Sequence, residues 1–193
     1  MPQFDNVTLR TTRLLLRPLC PSDAEALLEV HSDAAVMQYS NTPPWSSIDQ
    51  ARALIDQGVR GIRTGEHLCL GIVPDDAGRV VGTCTVYAIA QPSRRAEIGF
   101  ILGAHAWRRG YMAEALDALA TYSFLELNLN RIEADTDPRN VRSITTLERL
   151  GFVREGYLRE GWIIGAEKAD TVLFGLLRSD WERTHGPKAE GGA

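Results

Sequence analysis

Apolar positions follow two rhythms along the chain, and each rhythm assigns its segment to a strand or a helix. Leu14, Leu15 and Leu16 form a short apolar run between Arg13 and Arg17, which predicts a buried strand ended by Pro18 and Pro21. Ala24, Leu27, Leu28 and Val30 or His31 then recur at helical spacing. Ser22 or Asp23 can cap that helix, and Glu25 stands in its first turn, where the dipole favours a carboxylate. After the loop 41–44, Ser46 or Ser47 opens a second helix through Ala51, Leu54, Ile55 and Gly58. From His67 the pattern becomes extended: 68–73, a turn at 75–78 and 80–90 predict a hairpin, and 96–102 a third strand. Met112, Ala115, Leu116, Leu119, Ala120 and Leu127 lie on one stripe of a long amphipathic helix, and 131–136 is extended again. Asn140 caps a further helix with Ile144, Leu147 and Leu150 on its buried side. Gly151 is its left-handed stop, and Phe152 folds back on Leu147. Two strands, 153–159 and 169–177, complete the pattern, and the polar, Gly-rich stretch from Thr184 is expected to fray.

The order strand, two helices, three strands, helix, strand, helix, two strands predicts one α/β (α+β) domain over 1–183, built on a single mixed sheet flanked by helices. It is not a doubly wound βαβ array, and 184–193 form a flexible polar tail. Composition agrees with one domain. The 193 residues are 44% hydrophobic and 24% charged, enough for a real core, which excludes disorder as the main state. With 21 Lys and Arg against 25 Asp and Glu, the net charge of −4 provides no broad basic field, so no nucleic-acid partner is expected and any anion site must be local. Arginines 10, 13 and 17 punctuate the first apolar run, and no stretch approaches the roughly 18 residues that cross a bilayer. Residues 1–6 lack an apolar signal core, and the expectation is a cytoplasmic protein with no membrane partner. Cys20, Cys69 and Cys84 show no Cys-x-x-Cys spacing and His31, His67, His105 and His185 no paired spacing, so neither a disulfide framework nor a metal is expected.

The segment 97–115 carries the most chemistry. A strand, Glu97-Ile98-Gly99-Phe100-Ile101-Leu102, runs into a loop with Arg108, Arg109 and Gly110, and the strongest helix begins at once. Backbone N–H groups at a helix start have no partners inside the helix and favour negative charge, so this geometry can cradle a phosphate, with the two arginines beside it. The bland alternative is a glycine that eases a turn between solvated arginines. No P-loop or Gly-x-Gly-x-x-Gly pattern and no Gly-x-Ser-x-Gly elbow is present, which argues against a P-loop nucleotidase, a dinucleotide enzyme and an α/β-hydrolase. Gly99, inside an apolar strand, marks either a bulge that opens the sheet or a glycine lying under a neighbouring aromatic.

Leu9-x-Thr11-x-Arg13-Leu14-x-Leu16-Arg17, Glu97-x-Gly99, Trp107-x-x-Gly110-Tyr111-x-x-Glu114-Ala115, Asn140-x-x-Ser143, and Leu150-Gly151-Phe152 followed by Gly156-x-x-Arg159 occur in that order. Together they resemble the GNAT acetyltransferase superfamily, and within it the RimJ/RimL group of ribosomal-protein N-terminal acetyltransferases, over roughly residues 9 to 181. The resemblance implies a splayed, mostly antiparallel sheet with acetyl-CoA as cosubstrate in a V-shaped gap between the strands 97–102 and 131–136. It implies that Phe100 and Leu102 offer backbone groups to the pantetheine arm, and that Arg108, Arg109, Gly110, Tyr111, Met112 and Ala113 hold the pyrophosphate. Asn140, Ser143 and Arg149 match positions that line the far side of the cofactor in relatives. Met112 departs from the small residue usual at its position, and Trp107 from the usual Arg or Gln. Tyr39, Trp45, Tyr157, Arg159 and Trp162 fall in segments that border the acceptor groove in relatives, and two copies would pair through their C-terminal halves.

Attack on a thioester needs a neutral amine, yet an α-amine titrates near about 8 and a lysine near about 10.4, so a base or water relay must take a proton. Glu97 is the candidate, since it shares a strand face with Gly99; the alternative is a surface glutamate paired with Arg94, Arg95 or Arg131. Many superfamily members protonate the departing thiolate with a tyrosine where this chain has Leu147. Ser143 is the hydroxyl available on that helix, unless it only caps. The acceptor is expected to be a peptide N-terminus or a small-molecule amine, an open acidic groove favouring a peptide or polyamine. The rival is a non-catalytic acyl-CoA-binding regulatory module.

Overall fold

The apolar runs become the strands of one sheet in the computed structural model, which describes residue 4 and residues 7–185. The strands are β1 (Leu9–Arg10), β2 (Leu14–Pro18), β3 (Leu68–Pro74), β4 (Gly82–Ala90), β5 (Arg95–Leu102), β6 (Arg131–Thr136), β7 (Val153–Ile164) and β8 (Glu167–Leu177), and they lie in the order β1-β2-β3-β4-β5-β6-β8-β7. Every neighbouring pair is antiparallel except β5 and β6, which run parallel. The helices are α1 (Ala24–Ser32), α2 (Ala34–Met37), α3 (Ile48–Thr64), α4 (Tyr111–Leu125), α5 (Val141–Arg149) and α6 (Arg178–His185).

Two apolar layers hold the sheet. On one face, Leu116, Leu119 and Phe124 of α4 and Leu147 of α5 are buried with Leu70, Ile72, Ile98, Ile132 and Phe174 of the strands. On the other face, Leu27 of α1 and Ala51 and Ile55 of α3 close over Cys69 and Val73. Side chains alternate along a strand, so Val86, Ile98, Ile132 and Ala134 point to the α4 layer. Tyr87, Glu97, Glu133 and Asp135 must then point to the opposite face.

The parallel pair is short. Its ladder joins Arg95, Ala96 and Glu97 to Arg131, Ile132 and Glu133 and then stops. β5 stays paired to β4 as far as Leu102, and β6 to β8 as far as Thr136, so the two strands part while each keeps its outer partner. The result is a V-shaped gap in the middle of the sheet, where the resemblance puts it.

Several boundaries differ from the sequence reading, each for a physical reason. Pro18 does not stop its strand but ends it, paired with Leu70, since the last position of a strand tolerates a missing N–H. The short elements β1 and α2 carry too few residues to show a period. The strand starting at 80 begins at Gly82, and the last hairpin is longer than expected, turning through Gly165 at φ +62°. Thr184 and His185 belong to α6 and do not fray: Thr184 Oγ1 donates to the Trp181 carbonyl, and His185 stacks on Trp181 at 5.0 Å. The rest of the expected tail, 186–193, lies outside the described residues. Gly99 is not a bulge; it pairs in register with Thr85, and the irregularity falls in β4, where Ala88 has φ +50°.

Candidate active site

The backbone of β5 sets up the gap. The Gly103 amide donates to the Val81 carbonyl at 2.8 Å, so odd positions near that end of the strand turn their amides to β4 and even positions turn theirs away. Phe100 and Leu102 therefore present backbone groups on the edge that β6 has left. The Leu102 carbonyl is already occupied, since it accepts from the Trp107 indole at 2.8 Å. The Arg142 guanidinium of α5 lies 4.0 Å from the centre of the Trp107 ring, so these two side chains span the wide end of the V.

Glu97 pairs with none of the arginines weighed for it. Arg95 and Arg131 both turn to Glu133, at 2.8 and 2.7 Å, and Arg94 bonds the Asn128 carbonyl. Directly opposite Glu97 across the β4–β5 ladder is Tyr87, and a β-carbon on Gly99 would stand 3.4 Å from the edge of the Tyr87 ring. Gly99 is thus the glycine beside an aromatic, and that aromatic is the cross-strand neighbour of Glu97. Burial pushes the Tyr87 phenol far up, and the carboxylates of Glu97 and Asp135 push it further, so it stays protonated at any working pH.

The narrow part of the V opens into a cleft of about 220 Å³ lined by Tyr39, Ser40, Asn41, Tyr87, Ile98, Gly99, Phe100, Asp135, Thr136, Asp137, Asn140, Ser143, Trp162, Ile164, Ala169 and Asp170. Of the residues expected to hold the cosubstrate or act in catalysis, Phe100, Asn140 and Ser143 line it. Glu97, Leu102, Arg149 and the loop 108–113 do not. Three carboxylates and no cation are on its walls. Arg139 holds the Asp137 carboxyl below its ordinary range, and the Tyr157 hydroxyl and Glu160 amide do the same for Asp170. Asp135 accepts only the Trp162 indole N–H, at 2.9 Å, and has no ion pair among the described residues. Rings of Tyr39, Tyr87, Phe100 and Trp162 complete a lining suited to a cation. Tyr39 and Trp162 had been expected here. Trp45 instead stacks on His31 at 3.9 Å, and Tyr157 is engaged with Asp170.

The loop before α4 lies at the other end of the gap. Arg108 and Gly110 both have positive φ, +62° and +79°, and no side chain caps the helix that follows. The Tyr111 and Met112 side chains are buried in the core, which leaves the first-turn amides as the outward chemistry of this segment. Arg109 does not stand free beside them as expected, because its guanidinium bonds Asp76 at 3.0 Å. Arg108 makes no ion pair among the described residues and is the available cation. On α5, Asn140 caps the helix by accepting the Ser143 amide at 3.2 Å, which holds Ser143 against the cleft. Arg149 sits in the last turn, about 13 Å of helix axis away from Asn140. Among the described residues no cluster of three or more His, Cys, Asp or Glu could hold a metal, and no helix is long and apolar enough to cross a membrane.

Sequence missed Tyr87, Asp135, Asp137 and Asp170. The first could have been found from the β4–β5 register, had the irregularity at Ala88 not broken the count across the turn.

Known proteins share this fold. Residues 13–153 match the family model described as an acetyltransferase (GNAT) domain. The uncharacterized N-acetyltransferase p20 of Bacillus licheniformis is 37% identical over 174 residues, covering 90% of this chain and 98% of its own. The ribosomal protein uS5-alanine N-acetyltransferase of Escherichia coli (strain K12) is 27% identical over 184 residues, covering 91% and 93%. The crystal structure of the acetyltransferase (GNAT family) from Bacillus anthracis superposes with a TM-score of 0.80 at 26% identity, covering 90% of this chain and 99% of that one. With a family match over most of its length and a relative of this identity covered almost end to end, the chain belongs to the GNAT acetyltransferases and is an N-acetyltransferase.

Proposed function

We propose that this enzyme transfers acetyl from acetyl-CoA to a cationic primary amine, either the α-amine of a peptide or protein N-terminus or an amine of a small polyamine, by direct attack in a ternary complex. The observation that carries the reading is the gap itself: a strand edge open at Phe100, an uncapped helix start beyond one end and an acidic, aromatic cleft at the other. These features fit the cosubstrate. Amides of residues 110–113 suit a pyrophosphate, the free edge of β5 suits an amide-bearing arm, and the Asn140–Ser143 turn stands where that arm would end. Acetyl-CoA, when bound, supplies the thioester carbonyl.

In this reading the cleft gathers the acceptor as an ammonium ion, with Asp135 as its free carboxylate. The ammonium proton passes to Glu97, and Tyr87 is placed to hand it on: its oxygen receives one proton as its own proton moves to the carboxylate. The C–N bond then forms as the C–S bond breaks, and the nitrogen's remaining surplus proton reaches the departing thiolate through the Ser143 hydroxyl, which gives its own proton to sulfur as it takes that one. The open, acidic cleft favours an extended cationic acceptor over a small neutral one. The exposed apolar side chains Tyr157, Leu158 and Ile163 on β7 support pairing of two copies through the C-terminal half, and three free cysteines support a reducing, cytoplasmic setting.

The test is release of free CoA thiol from acetyl-CoA across peptides with varied N-termini, lysine peptides, polyamines and aminoglycosides, with CoA binding measured in parallel. Turnover with peptides or polyamines is expected. Turnover confined to neutral amines overturns the acceptor class, and absence of CoA binding overturns the site.

A further inference from the structure

The loop before α4 adopts a conformation that its own sequence does not favour. Arg108 has φ +62°, a region that a non-glycine side chain enters only when its surroundings hold it there. Gly110, at φ +79°, is followed directly by the helix with no capping side chain. Something outside the loop must keep the turn in place, and one residue from near the start of the sequence touches it at Arg109, Tyr111 and Glu114.

That residue is Arg13, in the turn between β1 and β2. Its Nη1 donates to the Arg109 carbonyl at 3.0 Å, the peptide oxygen immediately before Gly110. Its Nε and Nη2 close on Glu114 Oε2 at 2.8 and 2.6 Å, and its own backbone N–H donates to Glu114 Oε1 at 2.9 Å. The guanidinium also lies over the Tyr111 ring, 5.1 Å from its centre. One planar fork thus fixes the last loop carbonyl and the first turn of α4 together, which a point-like ammonium could not do. Thr11 adds a bond to Glu114 Oε1 at 2.7 Å. Burial would push the Glu114 carboxyl up, but the bonds from Thr11 and Arg13 outweigh it and hold the group ionised. From the other side, Asp76 in the β3–β4 turn bonds both Arg109 and the Tyr111 hydroxyl, at 3.0 and 3.1 Å.

We infer that Arg13 is a positioning residue for cosubstrate binding: by holding the Arg109 carbonyl back against the β1–β2 turn, it keeps the amides of residues 110–113 turned toward the pyrophosphate. This rests on the function proposed above. In this role Arg13 acts through the loop and not by meeting the ligand: its carbonyl accepts the Asp75 amide at 3.0 Å, and its guanidinium is engaged by the Arg109 carbonyl and the Glu114 carboxylate. A polarised peptide is worth most to an anion when its direction is set in advance, so loosening the turn weakens binding without removing any group that meets the ligand.

The test compares two acetyl donors, acetyl-CoA and acetyl-pantetheine, which lacks the pyrophosphate. In Arg13→Ala, KM for acetyl-CoA and Kd for CoA by calorimetry should rise about tenfold or more, with kcat at saturation within about twofold. The value of kcat/KM with acetyl-pantetheine should stay within about twofold of the parent enzyme. Arg13→Lys keeps a charge near Glu114 and protects the fold, but cannot also reach the Arg109 carbonyl, so it should show the same selective loss. Unchanged CoA affinity in both variants, or an equal loss with both donors, overturns the inference. Failure of the parent enzyme to bind CoA would instead overturn the function on which it rests.

Discussion

A β-carbon on Gly99 would meet the Tyr87 ring at 3.4 Å, an ordinary contact, and Tyr87 lines the cleft from the position directly opposite Glu97 on the neighbouring strand. Tyr87→Phe keeps the ring over Gly99 and removes only the hydroxyl. Steady-state kinetics should show kcat lower by about tenfold to a hundredfold at neutral pH, the modest end of what a positioned proton carrier contributes, with KM for acetyl-CoA unchanged. An unchanged kcat would leave Tyr87 as packing alone. Glu97→Gln tests the far end of the same route. Its loss should be largest at neutral pH and shrink as pH rises toward the pKa of the amine, because free amine then forms without help. A pH–rate profile parallel to that of the parent would remove Glu97 from the mechanism. Sequence could nominate Glu97 and Gly99, since they are two apart on one strand, but not Tyr87. Its position depends on a register that the irregularity near Ala88 hides.

At the level of elements, the end of α5 was legible in full because its signals are local. Phe152 donates its N–H to the Leu147 carbonyl and Gly151 to that of Glu148, both at 3.0 Å, with Gly151 at φ +87°. A β-carbon there would meet only Leu176 at 3.6 Å, an ordinary contact. Gly151→Ala should therefore pay the backbone term alone, lowering stability in urea unfolding by about 1 kcal/mol. The loop between α2 and α3 was legible as a loop, but its anchor was not, since that is a tertiary contact. His31, at the end of α1, stacks on Trp45 with its Nε2 buried and unpartnered, and burial pushes the imidazole from 6.5 down to about 4. The unfolded chain therefore binds this proton first as pH falls. Stability is full above about 6.5 and declines toward pH 4, by at most about 3 kcal/mol. Urea unfolding at pH 7 and pH 5 should reveal that slope, and His31→Phe, which can still stack, should flatten it; a slope unaltered by the change would assign it to other groups. The same contrast explains α6, where a polar composition suggested a loose end while Trp181 was buried against Phe124.

At the scale of the whole molecule, the two ends of the gap carry opposite charge. The net charge of −4 hides two opposed ends: an uncapped helix start with Arg108 beside it, and a cleft walled by Asp135, Asp137 and Asp170. The cationic end could be read from the chain, because the loop and helix that make it are contiguous. The acidic end could not, because β6, the residue after it and β8 bring together carboxylates far apart in the chain, Asp170 standing 33 positions beyond Asp137 and 35 beyond Asp135. An acceptor that arrives as an ammonium ion is drawn to one end only. Within the acidic end, Asp137 is held by Arg139 and Asp170 by Tyr157 and Glu160, which leaves Asp135 to meet the incoming charge. Asp135→Asn keeps an oxygen for the Trp162 indole and removes the charge. It should raise KM for a cationic peptide or polyamine by about tenfold, the effect of losing one partly screened ion pair, and leave KM for acetyl-CoA where it was. The parent enzyme should also lose acceptor affinity as ionic strength rises, since screening acts on that attraction, and the variant should lose less. A KM equally insensitive to salt in both proteins would mean that the acceptor is not bound through its charge.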